Sequence, residues 1–333
     1  MQEFNNIYLH SIAITEPDMF LSSADIEQDL SSIYDRLKLP FGRIEMQTGV
    51  ISRGFFPDQL PSQIAIRAGK NLFKDSDIKA SEIDLLIYCG VCRDYLEPST
   101  ASSIHHHLGL RADCESFDLS NACLGVVNGM SLASKLVEAG RYKNIMLVTG
   151  ENSYPLVSKM LEFLKKDMTL TRKSIKKYFA NFTIGSAGVA LVVSREKGIA
   201  KILRENSLSK TSTYQLCQGE GGPEGLSMET DSETLMREGI NLAKDCWGQF
   251  SRSVFDHYIC HQVGIHHRNY LFDQLGLDLS KDTTTFDRYG NTGSAALPLT
   301  LYKAIPKIKA EQNLALLGIG SGLHSTIMEL RWI

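Results

Sequence analysis

Short apolar runs punctuate the 333-residue chain at Leu85–Tyr88, Ile145–Val148, Val189–Val193, Tyr258–Ile259 and Leu314–Leu317. Runs this brief and this continuous suit strands buried on both faces. Between them lie stretches such as 120–140 and 235–250, with apolar residues at three- and four-residue spacing, which predict amphipathic helices. A chain alternating the two elements builds a layered α/β protein, not an all-α or all-β one.

At roughly 100 to 200 residues per domain the length suggests two units or one large α/β body. The small residues Gly185-Ser186-Ala187-Gly188 lead into Val189–Val193, and the turn-prone stretch 194–198 follows. The division is placed there, with one half over 1–197 and the other over 198–333. No sequence repeat relates the halves, so any duplication is structural. Apolar residues at 43% and charged residues at 22% exclude a disordered or fibrous chain. A net charge of −3 gives no basic field for nucleic acid. With no secretory-type leader and no apolar run near the roughly 18 residues of a membrane span, the sequence predicts a soluble, cytoplasmic protein.

The seven cysteines are an odd number in a chain too long to need disulfide staples, which points to reduced thiols. Cys89-Gly90-Val91-Cys92 has redox or half-zinc-site spacing, but no second pair completes a metal site, and a structural thiol pair is the plainer reading. The basic stretch from Lys165 to Lys177 reads as a solvated face, or alternatively as a docking patch for an acidic carrier or a CoA phosphate.

Chemistry concentrates at three turns. In Asp118-Leu119-Ser120-Asn121-Ala122-Cys123-Leu124-Gly125, a β-like approach meets small residues, a cysteine and a helix-patterned run. A thiol at a helix start is favoured as thiolate by the dipole, and the Cys123 N–H could face an oxyanion. A structural cysteine fits the same pattern, so a nucleophile needs partners. His261-Gln262 follows Tyr258-Ile259-Cys260, at the strand end where α/β proteins place sites. Asn291 sits between Gly290 and Thr292-Gly293 in a tight turn ahead of a helix-like stretch. His105–His107 and His266-His267 read as packed or surface histidines. The glycines of Leu317-Gly318-Ile319-Gly320-Ser321-Gly322 lack the acidic partner of a dinucleotide fingerprint and instead suit close approach of main chain to a reacting group, with the Gly322 N–H as a second oxyanion donor.

Together these elements, in this order, resemble the thiolase superfamily, in its β-ketoacyl synthase III-like branch, from Thr48-Gly49-Val50 to the C-terminus. The resemblance implies a dimer of subunits, each with two similar α/β halves in a five-layered αβαβα fold. It implies Cys123 as acyl-accepting nucleophile, His261 and Asn291 as the pair that holds the second thioester carbonyl, and the Cys123 and Gly322 N–H groups as oxyanion hole. Arg43 and Gln47 stand where the malonyl-using members carry the Trp and Arg that hold the CoA adenine. The stretch 92–102, with Glu97 before Pro98, resembles the olefin-pathway enzymes that join two acyl-CoA chains head to head. There the Glu reaches into the partner's site as the base that removes an α-proton, a role suited by a carboxyl of raised pKa. A solvated loop carboxylate is the alternative for Glu97.

The expected activity is therefore non-decarboxylative Claisen condensation of two acyl-CoA thioesters, with no metal or redox cofactor. The rivals are decarboxylative condensation with a malonyl carrier protein, acyl transfer or hydrolysis alone, and a non-catalytic partner subunit. Segment 152–182 is expected to lie over the site.

Overall fold

The structure is a computed structural model that describes residues 1–222, 225–250, 253–261 and 263–333. Each of the five apolar runs falls inside a strand. The strands of the first half are β1 (Tyr8–Thr15), β2 (Leu85–Tyr88), β3 (Glu115–Asp118), β4 (Asn144–Glu151) and β5 (Ala187–Ser194), in the order β3-β2-β4-β5-β1. β2 runs parallel to β3 and β4, whereas β5 is antiparallel to β4 and β1. Those of the second are β6 (Ala200–Ser209), β7 (His257–Cys260), β8 (Asn313–Gly320) and β9 (His324–Trp332), in the order β7-β8-β9-β6. β7 is parallel to β8, and β9 is antiparallel to both its neighbours. This repeats the order and directions of β2-β4-β5-β1. Tyr8 and Leu9 of β1 pair with Lys201 and Ala200 of β6, so the two sheets form one hydrogen-bonded path.

Helices fill the spaces on either side. α1 (Pro61–Asp75) and α2 (Thr100–Leu108) cover the outer face of the first sheet, where Ala65, Ile104, Leu86, Tyr88 and Met146 share one apolar cluster. α4 (Ser232–Trp247) and α5 (Ile265–Leu275) cover the outer face of the second, packing Ala243, Phe272, Ala315, Leu317 and Ile327 together. Between the sheets lie α3 (Gly125–Glu138) and α6 (Ala296–Ala304). Their Val127, Met130, Leu299 and Leu301 share a cluster with Ile87 and Leu147 of the first sheet and with Leu316 and Met328 of the second. The result is the five-layered order helix, sheet, helix, sheet, helix. Sandwiching explains why α6 is buried nearly all round, from Ala296 to Leu301.

A roof stands over one end of the layers. It combines the hairpin Met19–Ser22/Ser52–Phe55 and the helices Ser23–Asp29, Ser31–Leu37 and Arg43–Thr48 with the distant Tyr154–Lys166 and Ser174–Thr183. Ile26, Leu30, Phe55, Met160, Leu164 and Phe182 form its own apolar cluster. Of the basic stretch, Lys165 pairs with Asp29 at 2.5 Å and Lys177 with Glu229 at 2.7 Å, while Arg172 holds the carbonyls of Leu37 and Lys38. Among the described residues no helix is long and apolar enough to cross a membrane.

The apolar runs do not reveal β9, because it buries Ser325, Thr326 and Glu329, the last paired with Arg204 at 2.5 Å. The approach of α3 to β2 needs glycine. A Cβ on Gly125 would lie 2.6 Å from the Cys89 carbonyl oxygen, and one on Gly129 would lie 2.7 Å from Cys89 Sγ. Gly125→Ala is expected to destabilise the protein by about 1–3 kcal/mol through overpacking, read as a lower urea midpoint. An unchanged midpoint would show that α3 can move away from β2.

Candidate active site

The end of α3 that meets β2 carries the thiol. Ala122 adopts φ +47, and the N–H groups of Leu124 and Gly125 close the turn on Asn121 and Ala122. This strained turn sets Cys123 just ahead of the first helical residue. From the second sheet, Cβ positions on Gly318 and Gly320 would lie 2.5 and 3.0 Å from Leu124 side-chain atoms. The glycines of β8 thus let its main chain lie against the Cys123 turn. Gly322 follows at φ +86 in the turn that joins β8 to β9.

Asn291 is fixed from three directions. Its N–H donates to the Thr183 carbonyl at 2.8 Å, and its own carbonyl accepts from Gly185 N–H at 2.9 Å. Gly293 N–H donates to Asn291 Oδ1 at 3.1 Å, leaving the NH2 as the free, donating end of the amide. Gly290, at φ +70, is required here, since a Cβ would lie 2.5 Å from the Thr183 carbonyl oxygen. Segment 152–182 therefore ends directly on the Asn291 turn.

His261 leaves β7 with its N–H bonded to the Leu317 carbonyl at 2.9 Å. The side chain is buried, and neither ring nitrogen makes a hydrogen bond of ordinary length among the described residues. Burial, with His267 adding to it, lowers its pKa to about 3, and the Asn291 amide works the other way. The imidazole is neutral at physiological pH and its N–H is available to a ligand carbonyl. Gln262 lies outside the described residues. His267, read from the sequence as packed or surface, is the neighbour that acts on His261, and its own pKa is lowered to about 4 by burial. His105 fits the packed reading, with Nε2 against the carbonyls of Arg111 and Cys114.

The thiol differs from the expectation of a helix-start thiolate. Burial pushes the Cys123 pKa up to about 12, with further contributions from the Glu151 carboxylate and Cys217 that outweigh a backbone hydrogen bond. Desolvation opposes the helix-end field and favours the thiol form. Cys217, on the hairpin Cys217–Gly222/Gly225–Thr230, and Glu151 were not legible as site residues. A carboxylate ending an apolar strand is a faint signal in sequence, and a cysteine a hundred residues downstream is none.

Glu97 stands apart from these groups in its own chain. It is exposed in the loop 89–99 and makes no hydrogen bond or ion pair among the described residues, and Leu96 beside it is 94% exposed. Both ends of this loop are held. Val91 and Cys92 N–H groups bond to Glu151, and Asp118 accepts the N–H groups of Thr100 and Ala101 at the start of α2. Arg43 bonds Gln47 at 3.3 Å and lies 5.8 Å from the centre of the Phe179 ring, on the roof.

Residues 117–210 match the 3-Oxoacyl-[acyl-carrier-protein (ACP)] synthase III family, and residues 249–332 match its C-terminal part. The acyl-CoA:acyl-CoA alkyltransferase of Shewanella oneidensis is 30% identical over 99% of this chain and 100% of its own length. The chain belongs to the synthase III family. The protein of the same name from Xanthomonas campestris is 31% identical over 99% of both chains. The beta-ketoacyl-[acyl-carrier-protein] synthase III of Rickettsia canadensis, also of this family, is 26% identical over 87% of this chain and 90% of its own. In structure, the Xanthomonas campestris OleA protein with a glutamate replaced by glutamine superposes at a TM-score of 0.93 with 31% identity, covering 99% of this chain and 98% of that one. A cysteine-to-alanine form of OleA superposes at 0.92 with the same identity and coverage.

For this synthase III member, alkylation of Cys123 by iodoacetamide is expected to speed up about tenfold per pH unit from pH 7 to pH 10, with no plateau, since the thiolate fraction rises throughout below the raised pKa. A plateau near neutrality would show a thiolate already formed.

Proposed function

We propose that the protein joins two fatty acyl-CoA molecules head to head by non-decarboxylative Claisen condensation through an acyl-Cys123 intermediate. The observation that carries this reading is the buried, neutral His261, whose ring nitrogens have no hydrogen bond of ordinary length among the described residues, beside the Asn291 amide and at the end of the strand next to the one that packs against Leu124. Such a pair is built to hold a carbonyl oxygen that gains charge. The alkyltransferase relatives, similar over the full length of the chain, favour two acyl-CoA substrates over an acyl-CoA and a malonyl carrier.

In the first half-reaction Cys123 Sγ attacks an acyl-CoA carbonyl, its proton passes to the departing CoA sulfur, and acyl-Cys123 remains. The tetrahedral oxyanion sits against the N–H groups of Cys123 and Gly322. A second acyl-CoA then binds with its carbonyl oxygen on His261 and Asn291. Glu97 from the partner subunit takes its α-proton, and the carbanion attacks acyl-Cys123. Collapse expels the Cys123 thiolate and yields a β-keto thioester, open to hydrolysis to the β-keto acid. Each step is proton transfer, thioester exchange or acyl transfer from sulfur to a carbanion, none of which changes an oxidation state or calls for a metal or redox group.

Exposure of Glu97 beside the bare Leu96 supports a homodimer in which this loop enters the partner's site. The repeated strand order supports two halves meeting near residue 197. Free thiols at all seven cysteines suit a reducing cytoplasm. Acyl carrier protein is an alternative source of either acyl chain.

Incubation with myristoyl-CoA alone is expected to give a β-keto acid or its decarboxylated ketone by mass spectrometry, and Cys123→Ala to give none. Product only when a malonyl carrier protein is added would overturn the reading in favour of decarboxylative condensation. Glu97→Gln is expected to keep CoA release from the first substrate and to lose condensation by about 100-fold or more, the scale of a general base. Mixed dimers of Cys123→Ala and Glu97→Gln subunits are expected to regain activity, because one of the two sites then has an intact Cys123 and an intact Glu97. Inactive mixed dimers would confine Glu97 to its own subunit.

A further inference from the structure

We propose that Glu151 is a positioning residue that locks the Glu97 loop and the Asn291 turn of one subunit into a single unit, so that a subunit's own carbonyl-holding site and the base it lends its partner keep one register. This inference rests on the cross-subunit role proposed for Glu97. Glu151 ends β4 and is buried at 3% exposure, yet it forms no ion pair among the described residues. Four donors meet its charge instead. Oε1 accepts from Val91 N–H at 2.9 Å, from Ser294 N–H at 3.3 Å and from Ser294 Oγ at 2.5 Å, while Oε2 accepts from Cys92 N–H at 3.2 Å.

Two of these donors open the loop that carries Glu97, and two belong to the turn that carries Asn291. The Ser294 hydroxyl also lies 2.9 Å from Thr149 Oγ1, which leaves its own proton for Glu151. A Cβ on Gly293 would lie 3.3 Å from the carboxyl carbon, so the turn rests directly on this group. A buried carboxylate without a cation is a costly way to staple two loops, since apolar packing would serve stability as well. What it adds is direction, because it aligns four donors and excludes other registers of either loop. It also sets the reactivity of the thiol, as the carboxylate on β4 and Cys217 on the hairpin are the titratable groups that face Cys123.

The test uses the intact protein and three readouts: CoA released by the first half-reaction, condensed product from myristoyl-CoA, and the pH profile of Cys123 alkylation. In Glu151→Gln the amide keeps the volume but removes the charge and turns a donor toward the Cys92 N–H. The expected result is condensation lowered about 100-fold beyond whatever change acylation shows, and an alkylation profile moved to lower pH by loss of the neighbouring charge. Condensation within about threefold of wild type would overturn the proposal, as would equal loss of both half-reactions with the alkylation profile unmoved. If Glu151→Gln does not fold, Ser294→Ala removes one donor only. Selective loss of condensation in that variant supports the proposal, and unchanged condensation overturns it. The wild-type control separates this from the parent reading. If wild type makes product only with a malonyl carrier protein, head-to-head condensation has failed, and Glu151→Gln is then scored by the same criteria on that product.

Discussion

Everything at the site depends on how closely main chain can approach main chain around Leu124. The helix that follows Cys123 presses Gly125 on the Cys89 carbonyl from one side. Gly318 and Gly320 of the other sheet press on Leu124 from the opposite side. These contacts bring the ends of β2, α3 and β8 to one point, and through Ser294, whose Cβ is 3.3 Å from a Gly125 Cβ position, they add the Asn291 turn. At Gly125 and Gly318 a side chain larger than hydrogen would displace its neighbours. The candidate groups are then carried on short turns at the ends of stiff elements, which is where small displacements are least tolerated.

Electrostatics at this junction follow from the same closeness. Removing water extends the range over which Cys123 stays a thiol to higher pH, and the range over which His261 stays a neutral imidazole to lower pH. A neutral His261 can donate its N–H to a carbonyl, and its lowered pKa makes the other ring nitrogen too weak a base to compete for the proton that the carbanion step must remove. A protonated thiol suits an enzyme whose first substrate brings its own leaving group, since the CoA sulfur can take the proton that Cys123 gives up.

Much of this was legible in the residues. The five apolar runs are strands because strands buried on both faces leave an unbroken apolar signature, and α3 and α4 show through their apolar residues at three- and four-residue spacing. Cys123, His261 and Asn291 stand out through the small residues and glycines around them, which close approach demands. The rest was hidden for physical reasons. β9 hides its strand character behind buried Ser325, Thr326 and Glu329. His267 and Cys217 matter only through neighbours brought from other elements. Glu151 looks like any acidic residue after a strand until four donors from two distant loops are seen converging on it. The exposed position of Glu97 carries no chemistry within a single chain, and the role proposed for it needs a second subunit.

The roof over the layers has an apolar cluster that shares no buried residue with the three clusters below it. Its side chains come from two stretches far apart in sequence, around 19–55 and 154–184, and they meet the layers through main-chain bonds such as Asn291 N–H to the Thr183 carbonyl and through ring contacts such as Phe20 with Tyr289. Substitution at roof side chains that touch only their own cluster therefore alters its inner contour without loosening the sheets. The fold separates two kinds of constraint: glycine-tight invariance where the halves touch, and freedom of size and shape above. A lineage of such proteins can diversify what it admits while its reacting atoms stay in place.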